Sequence, residues 1–278
     1  MPGRILFNGQ EIAPGLSADR AFHYGDGLFE TLAVINGAPC LWELHIQRLL
    51  EGCRRLGLPL PDRDQLLAEA ESLCSGQERA VLKLVISSGE GARGYARPTP
   101  VDPSRFLQIA PWPDPAHYQE NLPLSVQWCE TRLAEQPRLA GIKHLNRLEQ
   151  VMARRELAAD RHEGLMCDLH GQVIEGTSSN LLLKLDGRYL TPALSHCGVA
   201  GVVRRLILDR AAQKNIEVGV GQISPRHLES AERLFLTNSL LGIRPVERLG
   251  EQGYTHSGLG DDLLEAAHQA CFTFSGAV

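Results

Sequence analysis

Nowhere in this 278-residue chain does an apolar run approach the ~18–20 residues that a membrane-spanning helix requires. The opening stretch, MPGRILFNGQEIAPG, has no apolar core, so no signal peptide is expected. The seven cysteines, at 40, 53, 74, 129, 167, 197 and 271, never form C-x-x-C. Odd in number and dispersed, they predict free or buried thiols in a reducing, cytoplasmic setting rather than a disulfide framework. The ten histidines show no H-x-x-x-H and no pairing with cysteine at zinc spacing, so no metal site is expected. The net charge of −5 carries no basic footprint, and no nucleic-acid or membrane partner is expected.

What is present is an ordinary soluble composition, 43% hydrophobic and 22% charged. The length suits one large or two modest domains. Residues 3–12 read as a hairpin turning at Asn8-Gly9, and 27–42 as a second turning at Asn36-Gly37. Residues 43–57 switch to helical period, with Ile46, Leu49, Leu50 and Cys53 on one face and Gly57 as the stop. A helix over 63–74 and strands over 80–87 and about 105–110 follow. The stretch 111–123, PWPDPAHYQENLP, carries four prolines and reads as a linker. Beyond it come a strand at 124–130 and a helix at about 144–159. A hairpin-rich stretch over 164–191 turns at His170-Gly171 and Asp186-Gly187. A helix at 202–213, two strands within 233–246 and a helix near 261–270 close the chain. The expectation is an α+β protein in two domains, a smaller one at 1–110 and a larger one at 124–278.

Gly89, Gly91 and Gly94 fall in the spacing G-x-G-x-x-G after a strand. A dinucleotide fingerprint also needs a helix directly after the glycines, to meet the pyrophosphate. Here YARPTPVDPS follows, and its prolines at 98, 100 and 103 preclude that helix. The glycines read as a surface loop, whose Arg93 and Tyr95 face water or reach an anionic ligand.

Three other pieces carry chemistry. In GIKHLNRLEQV (141–151), Lys143 precedes the expected helix; taken alone it reads as a solvated group or a reactive amine. In VIEGTSSNLLL (173–183), Glu175 closes a strand among apolar residues, where an unpaired carboxylate would be costly. It reads as an exposed turn acid or a functional one. In GVAGVVRR (198–205), glycine before a helix start is an ordinary connection or an anion site, because free N–H groups and the helix dipole point outward there.

In this order, these pieces resemble the branched-chain/D-amino-acid aminotransferase family of fold type IV pyridoxal phosphate enzymes. The resemblance covers nearly the whole chain. It starts at DRAFHYGDGLFETLAVINGAPCLWELHIQRL (19–49), with a Y/F-G-D-G-x-F-E-T core and then H-x-x-R-L. Within the family, GIKHLNRLEQ is closest in wording to the lyase branch, which acts on 4-amino-4-deoxychorismate; the aminotransferases more often show K-S-L-N-Y. The resemblance implies a two-domain homodimer with bound pyridoxal 5′-phosphate. It implies that Lys143 bonds the cofactor aldehyde and moves protons, and that Glu175 faces the pyridine nitrogen. It places the phosphate on the N–H groups of Val202 and Val203, with Arg48, Thr237, Asn238 and Ser239 completing its cradle. It places Ser178 and Ser179 on the ring side, and Arg93, Tyr95, Tyr24 and Thr31 near the substrate. The alternative is an aminotransferase of the same fold acting on D- or branched-chain amino acids, which would use the same lysine and glutamate.

Overall fold

The computed structural model describes residues 5–7, 10–12, 15–113, 123–255 and 258–273. A short hairpin of β1 (Ile5–Phe7) and β2 (Gln10–Ile12) begins it; the expected turn at Asn8-Gly9 lies outside the described residues. Helix α1 (Arg20–Tyr24) follows, started by the Asp19 side chain and ended by Gly25 at φ 59°. It had no counterpart in the sequence reading, because five residues are too few to display a helical period.

An antiparallel sheet then forms in the order β4-β3-β5-β6 from β3 (Gly27–Ile35), β4 (Ala38–Pro39), β5 (Arg79–Ser87) and β6 (Arg105–Pro111). Asn36 and Gly37 join β3 to β4 with positive φ values of 50° and 80°, the backbone twist that a two-residue hairpin needs. Helices α2 (Trp42–Leu56) and α3 (Arg63–Cys74) cover one face of this sheet. Ile46, Leu49 and Cys53 of α2 pack with Leu28, Leu32 and Leu84 in one core. A Cβ at Gly52 would sit 2.8 Å from Leu28, so glycine lets α2 lie close on β3.

The second sheet is larger and mixed. It comprises β7 (Leu124–Trp128), β8 (Glu163–Cys167), β9 (Val173–Gly176), β10 (Asn180–Leu185), β11 (Arg188–Pro192), β12 (Val218–Gly221), β13 (Arg233–Asn238), β14 (Gly242–Leu249) and β15 (Gln252–Gly253). Its path runs β12-β11-β10-β13-β14-β7-β8-β9, and β9 pairs back onto β10 at Glu175 opposite Asn180, closing the sheet into a barrel. Leu181 and Leu183 of β10 and Leu234 and Leu236 of β13 fill one core. The intervening Leu182 and Phe235 point the other way, toward α5 (Val202–Gln213) and α7 (Asp262–Ala270). Alternate residues of a strand face opposite sides, so continuous apolar runs such as LLL and LFL mark strands covered on both faces.

One expected helix is corrected. Instead of spanning 144–159, α4 covers Leu148–Arg155. The residues before it are held out of the helix by backbone bonds to distant partners. Phe29 N donates to the Lys143 carbonyl at 3.0 Å and Leu145 N to the Gly27 carbonyl at 3.0 Å, while Gly141 N donates to the Gly198 carbonyl at 2.8 Å. The segment 141–145 thus lies along the start of β3 on one side and against the second sheet's loops on the other. Short helix α6 (Pro225–Glu229) and strand β12 were also not anticipated.

Phe235 is fully buried between the barrel and its covering helices. Phe235→Ala is expected to lower stability by about 3–5 kcal/mol, the cost of truncating a large core side chain, measured as the shift in a urea unfolding midpoint.

Candidate active site

Side chains from both sheets line a cavity of about 670 Å³. Phe29, Thr31 and Arg48 come from the first sheet and α2; Lys143, Glu175, Val202 and Thr237 come from the second part of the chain. The seam is held by polar contacts. Ser239 Oγ donates to the Thr31 carbonyl at 2.6 Å, and Arg48 Nη1 to the Ala200 carbonyl at 3.0 Å. Arg55 reaches the Ala140 carbonyl at 2.8 Å and the Arg138 carbonyl at 3.0 Å.

Lys143 is half-buried and lines the cavity with its amine 4.4 Å from the centre of the Phe29 ring. Burial, with the positive charges of Arg48 and Arg147, pulls its pKa down to about 8, against the opposing pull of Glu30 and Glu175. A lysine so placed carries a useful neutral fraction near pH 7. Glu175 is buried at the end of β9. Burial pushes its pKa up to about 7, although the Val199 N–H, which donates at 2.8 Å, and the charges of Arg147 and Lys143 work the other way. A cationic N–H brought to this carboxylate would hold it ionised.

Arg48 is aimed by a buried carboxylate. Its Nε donates to Glu30 Oε1 at 2.8 Å and its Nη2 to Glu30 Oε2, and His45 Nδ1 lies 2.6 Å from the same Oε2. Burial alone would raise the Glu30 pKa, but Arg48 and His45 hold it at about 2. Burial also pushes the His45 pKa down, so the neutral ring donates its Nδ1 proton to Glu30.

The N-terminus of α5 opens on the cavity. Gly201 is its N-cap and no side chain caps it. Asn180 fixes the approach by accepting from Gly201 N at 2.9 Å and donating to the Val199 carbonyl at 2.8 Å. A Cβ at Gly201 would collide with Asn180 Oδ1, so any other residue there would displace the side chain that fixes this turn. Thr237 is buried beside it, and among the described residues its hydroxyl has no hydrogen-bond partner. Free first-turn N–H groups, a helix dipole and an unpaired buried hydroxyl make a place for an anion.

Ser178, Ser179, Asn238 and Ser239 also line the cavity, with polar atoms that are engaged elsewhere. Val202 lines the cavity, whereas the Val203 side chain packs in the core behind it. Ser178 and Ser179 turn their hydroxyls to Glu163 Oε2, at 2.6 and 3.2 Å, rather than into open space. Asn238 uses its Oδ1 to cap Leu240 N and Leu241 N at 2.9 and 2.7 Å. Tyr24, Arg93 and Tyr95 do not line the cavity of their own chain. The cause is Arg20, which is buried, donates to the carbonyls of Gly94, Tyr95 and Ala96, and lies over the Tyr24 ring. With its carbonyls drawn inward, the loop leaves Tyr95 89% exposed. Gly89 in that loop serves a close approach, since a Cβ there would collide with the Asp102 carbonyl.

Sequence reasoning overlooked Glu163, Arg147, Gln150 and Asn180, all at the cavity. Glu163 had a readable signal, an acid opening the apolar strand EGLMC; Arg147 sat inside the quoted motif unremarked.

A lysine of lowered basicity and a buried carboxylate share one cavity with an uncapped helix N-terminus. Such a site is equipped to hold an aldehyde-bearing, phosphorylated nitrogen heterocycle. The chain belongs to the amino-transferase class IV family, whose pattern matches residues 27–249. It is 37% identical over 233 residues to an aminodeoxychorismate lyase of Vibrio harveyi, covering 82% of this chain and 84% of that protein. A 4-amino-4-deoxychorismate lyase structure from Pseudomonas aeruginosa superposes with a TM-score of 0.84 at 45% identity, over 93% of this chain and 96% of that one. A D-alanine aminotransferase of Listeria monocytogenes is 25% identical over 268 residues, 91% of each chain.

The raised Glu175 pKa has a consequence for stability. The proton it retains favours the folded protein fully below pH 4.5, and that contribution is lost as pH rises from 4.5 through about 7. Cofactor-free Glu175→Gln should therefore match the parent at pH 4 and exceed it above pH 7, by at most on the order of 3 kcal/mol, in urea melts taken across that range.

Proposed function

We propose that the chain is a pyridoxal phosphate-dependent carbon–oxygen lyase that converts 4-amino-4-deoxychorismate to 4-aminobenzoate and pyruvate, a step of folate biosynthesis. The observation that carries this is Lys143 and Glu175 on one cavity beside the bare N-terminus of α5. The choice of lyase over aminotransferase is supported by the 37% and 45% identity to proteins named as lyases, against 25% to a D-alanine aminotransferase.

The residues fit the cofactor. The orphaned Thr237 hydroxyl, the N–H groups of Val202 and Val203, and Arg48 would receive its phosphate, with Asn238 and Ser239 shaping the turn beside them. Glu175 would meet its ring nitrogen, and Lys143 its aldehyde carbon. When bound, the cofactor supplies an electron-accepting ring for the charge left at the substrate carbon that bears the amine.

The chain's own groups do the rest. Lys143, as a neutral amine, takes the proton from that carbon. Glu175, once ionised by its partner, keeps a proton on the ring nitrogen. The carbon–oxygen bond at the neighbouring carbon breaks, and its electron pair leaves on the enolpyruvyl oxygen. The six-membered ring becomes aromatic, which helps drive the step, and protonation of the leaving group gives pyruvate. The two carboxylates of the substrate match the cations of the cavity wall, Arg147, Arg154 and Arg155, with Thr31 on the opposite side. Arg93, Tyr95 and Tyr24 would join them only from outside their own chain's cavity.

On the same reading, residues 1–110 form the smaller domain, 111–123 the linker and 124–278 the cofactor-holding domain, and two chains pair. Pairing is supported by the apolar face of α4, where Leu148, Val151 and Met152 are 64%, 57% and 51% exposed beside the cavity. Val151→Asp with Met152→Asp should convert a dimer to a monomer in sedimentation velocity; an unchanged sedimentation coefficient would remove that face from the interface. Seven buried, unpaired cysteines support a reducing, cytoplasmic location.

Purified protein with pyridoxal phosphate and 4-amino-4-deoxychorismate should release 4-aminobenzoate and pyruvate in equal amounts, and Lys143→Ala should abolish both. Cofactor-loaded protein that releases neither would instead be assayed as an aminotransferase, with D- and branched-chain amino acids and 2-oxoglutarate.

A further inference from the structure

Glu163 is a buried carboxylate, 2% exposed, at the first residue of β8. Nothing in the proposed chemistry uses it. Yet it gathers the three hydroxyls and one backbone N–H of the turn that joins β9 to β10. Thr177 N donates to Oε1 at 3.0 Å, and the Thr177 hydroxyl donates to the same oxygen. The hydroxyls of Ser178 and Ser179 donate to Oε2. Gly164 N adds a bond at 3.1 Å, and Arg154 Nη1 lies 3.7 Å away at the edge. A charge buried this deeply is tolerated only when its lone pairs are filled, and here the turn fills them.

The turn is fitted to the carboxylate. A Cβ at Gly176 would collide with the Ser179 hydroxyl and lie 3.1 Å from Glu163 Cγ. One residue before the turn, across Gly176, stands Glu175, and immediately after it Asn180, which fixes Gly201 at the start of α5. The two residues are paired across β9 and β10. A single carboxylate therefore fastens the short link between the acid and the anion-binding helix start.

We propose that Glu163 is a positioning residue of the cofactor site: it clasps Thr177, Ser178 and Ser179 so that Glu175 and Asn180 are held in register, and the two serine hydroxyls belong to this clasp rather than to the cofactor. The inference rests on the reading that Glu175 meets the ring nitrogen of pyridoxal phosphate.

The test is a mutant cycle read by binding and spectra, without substrate. Cofactor-free protein is titrated with pyridoxal phosphate, and the absorbance of the bound form is followed with pH. Glu163→Ala and the pair Ser178→Ala/Ser179→Ala should each weaken binding about tenfold, the scale of leaving buried groups without partners. The triple variant should bind no more weakly than Glu163→Ala alone, because the three side chains act as one unit. The pH at which the bound cofactor titrates should move in Glu163→Ala in the same direction as in Glu175→Gln. Glu163→Gln, which keeps an acceptor for Thr177 and Gly164, should restore most of the affinity.

Losses that add in the triple variant would overturn the proposal, since the serines would then meet the cofactor on their own. Unchanged affinity and titration in Glu163→Ala would overturn it as well. If Glu163→Ala fails to fold, the cycle is run with Glu163→Leu, which keeps the side-chain bulk but accepts no hydrogen bond, and the same criterion of additivity. Glu175→Gln separates the two readings: if it shifts the spectrum while the Glu163 variants do not, only the clasp fails, and if it shifts nothing, both fail.

Discussion

The site depends on a strip of backbone, residues 141–145, bridged on both sides across the seam between the two sheets. Its bonds to Gly27 and Phe29 on one side and Gly198 on the other set where Lys143 stands. A lysine on a free helix face would swing through solvent on a four-carbon stem. Here its own carbonyl is fixed by β3, and its amine is confined over Phe29. The lowered basicity of the amine follows from that confinement, because burial and the cations of Arg48 and Arg147 act on a group that cannot move away. The helix that follows starts late for the same reason: the Gly141 and Leu145 N–H groups and the Gly141 and Lys143 carbonyls are already committed to the seam.

Around that strip, two buried carboxylates are fastened by fixed donors before they meet the cavity. Glu30 carries Arg48 on both carboxylate oxygens and accepts from a neutral His45. Glu163 carries the Thr177–Ser179 turn. Breaking one partner of such a set leaves an uncompensated buried charge, which costs far more than an exposed ion pair contributes. The outcome is a cavity in which several wall groups are preset in orientation while others, the Thr237 hydroxyl and the open end of α5 among them, are left for a ligand. That division between committed and uncommitted groups lets one fold hold an anionic heterocycle while its lysine stays reactive.

Local features of the fold were legible in the sequence. The turns at Asn36-Gly37 and Asp186-Gly187 fall where residue types that tolerate positive φ stand together, and all four residues adopt it. The stripe on α2 and the start of α5 after Gly201 were readable for the same reason, since both depend on residues within one or two turns. Lys143, Glu175 and the start of α5 were legible as a set through their order along the chain. The helix starting at 144 was misread because its wording is helical while its backbone is claimed by residues more than a hundred positions away. Arg93 stands away from its own chain's cavity; a loop's sequence does not tell which way it leans, and here the buried Arg20 decides.

The sequence by itself determined the kinds of element, their turns and the chemical groups available, because propensity, period and capping act between near neighbours. Only the tertiary structure decided which of those groups remain free. Ser178 is spent on a carboxylate 15 residues away, and Arg48 on a carbonyl 152 residues away, whereas the Thr237 hydroxyl keeps its bond to give. A hydrogen bond is made with whatever lies within about 3 Å, and that proximity is a property of the packed chain rather than of its order.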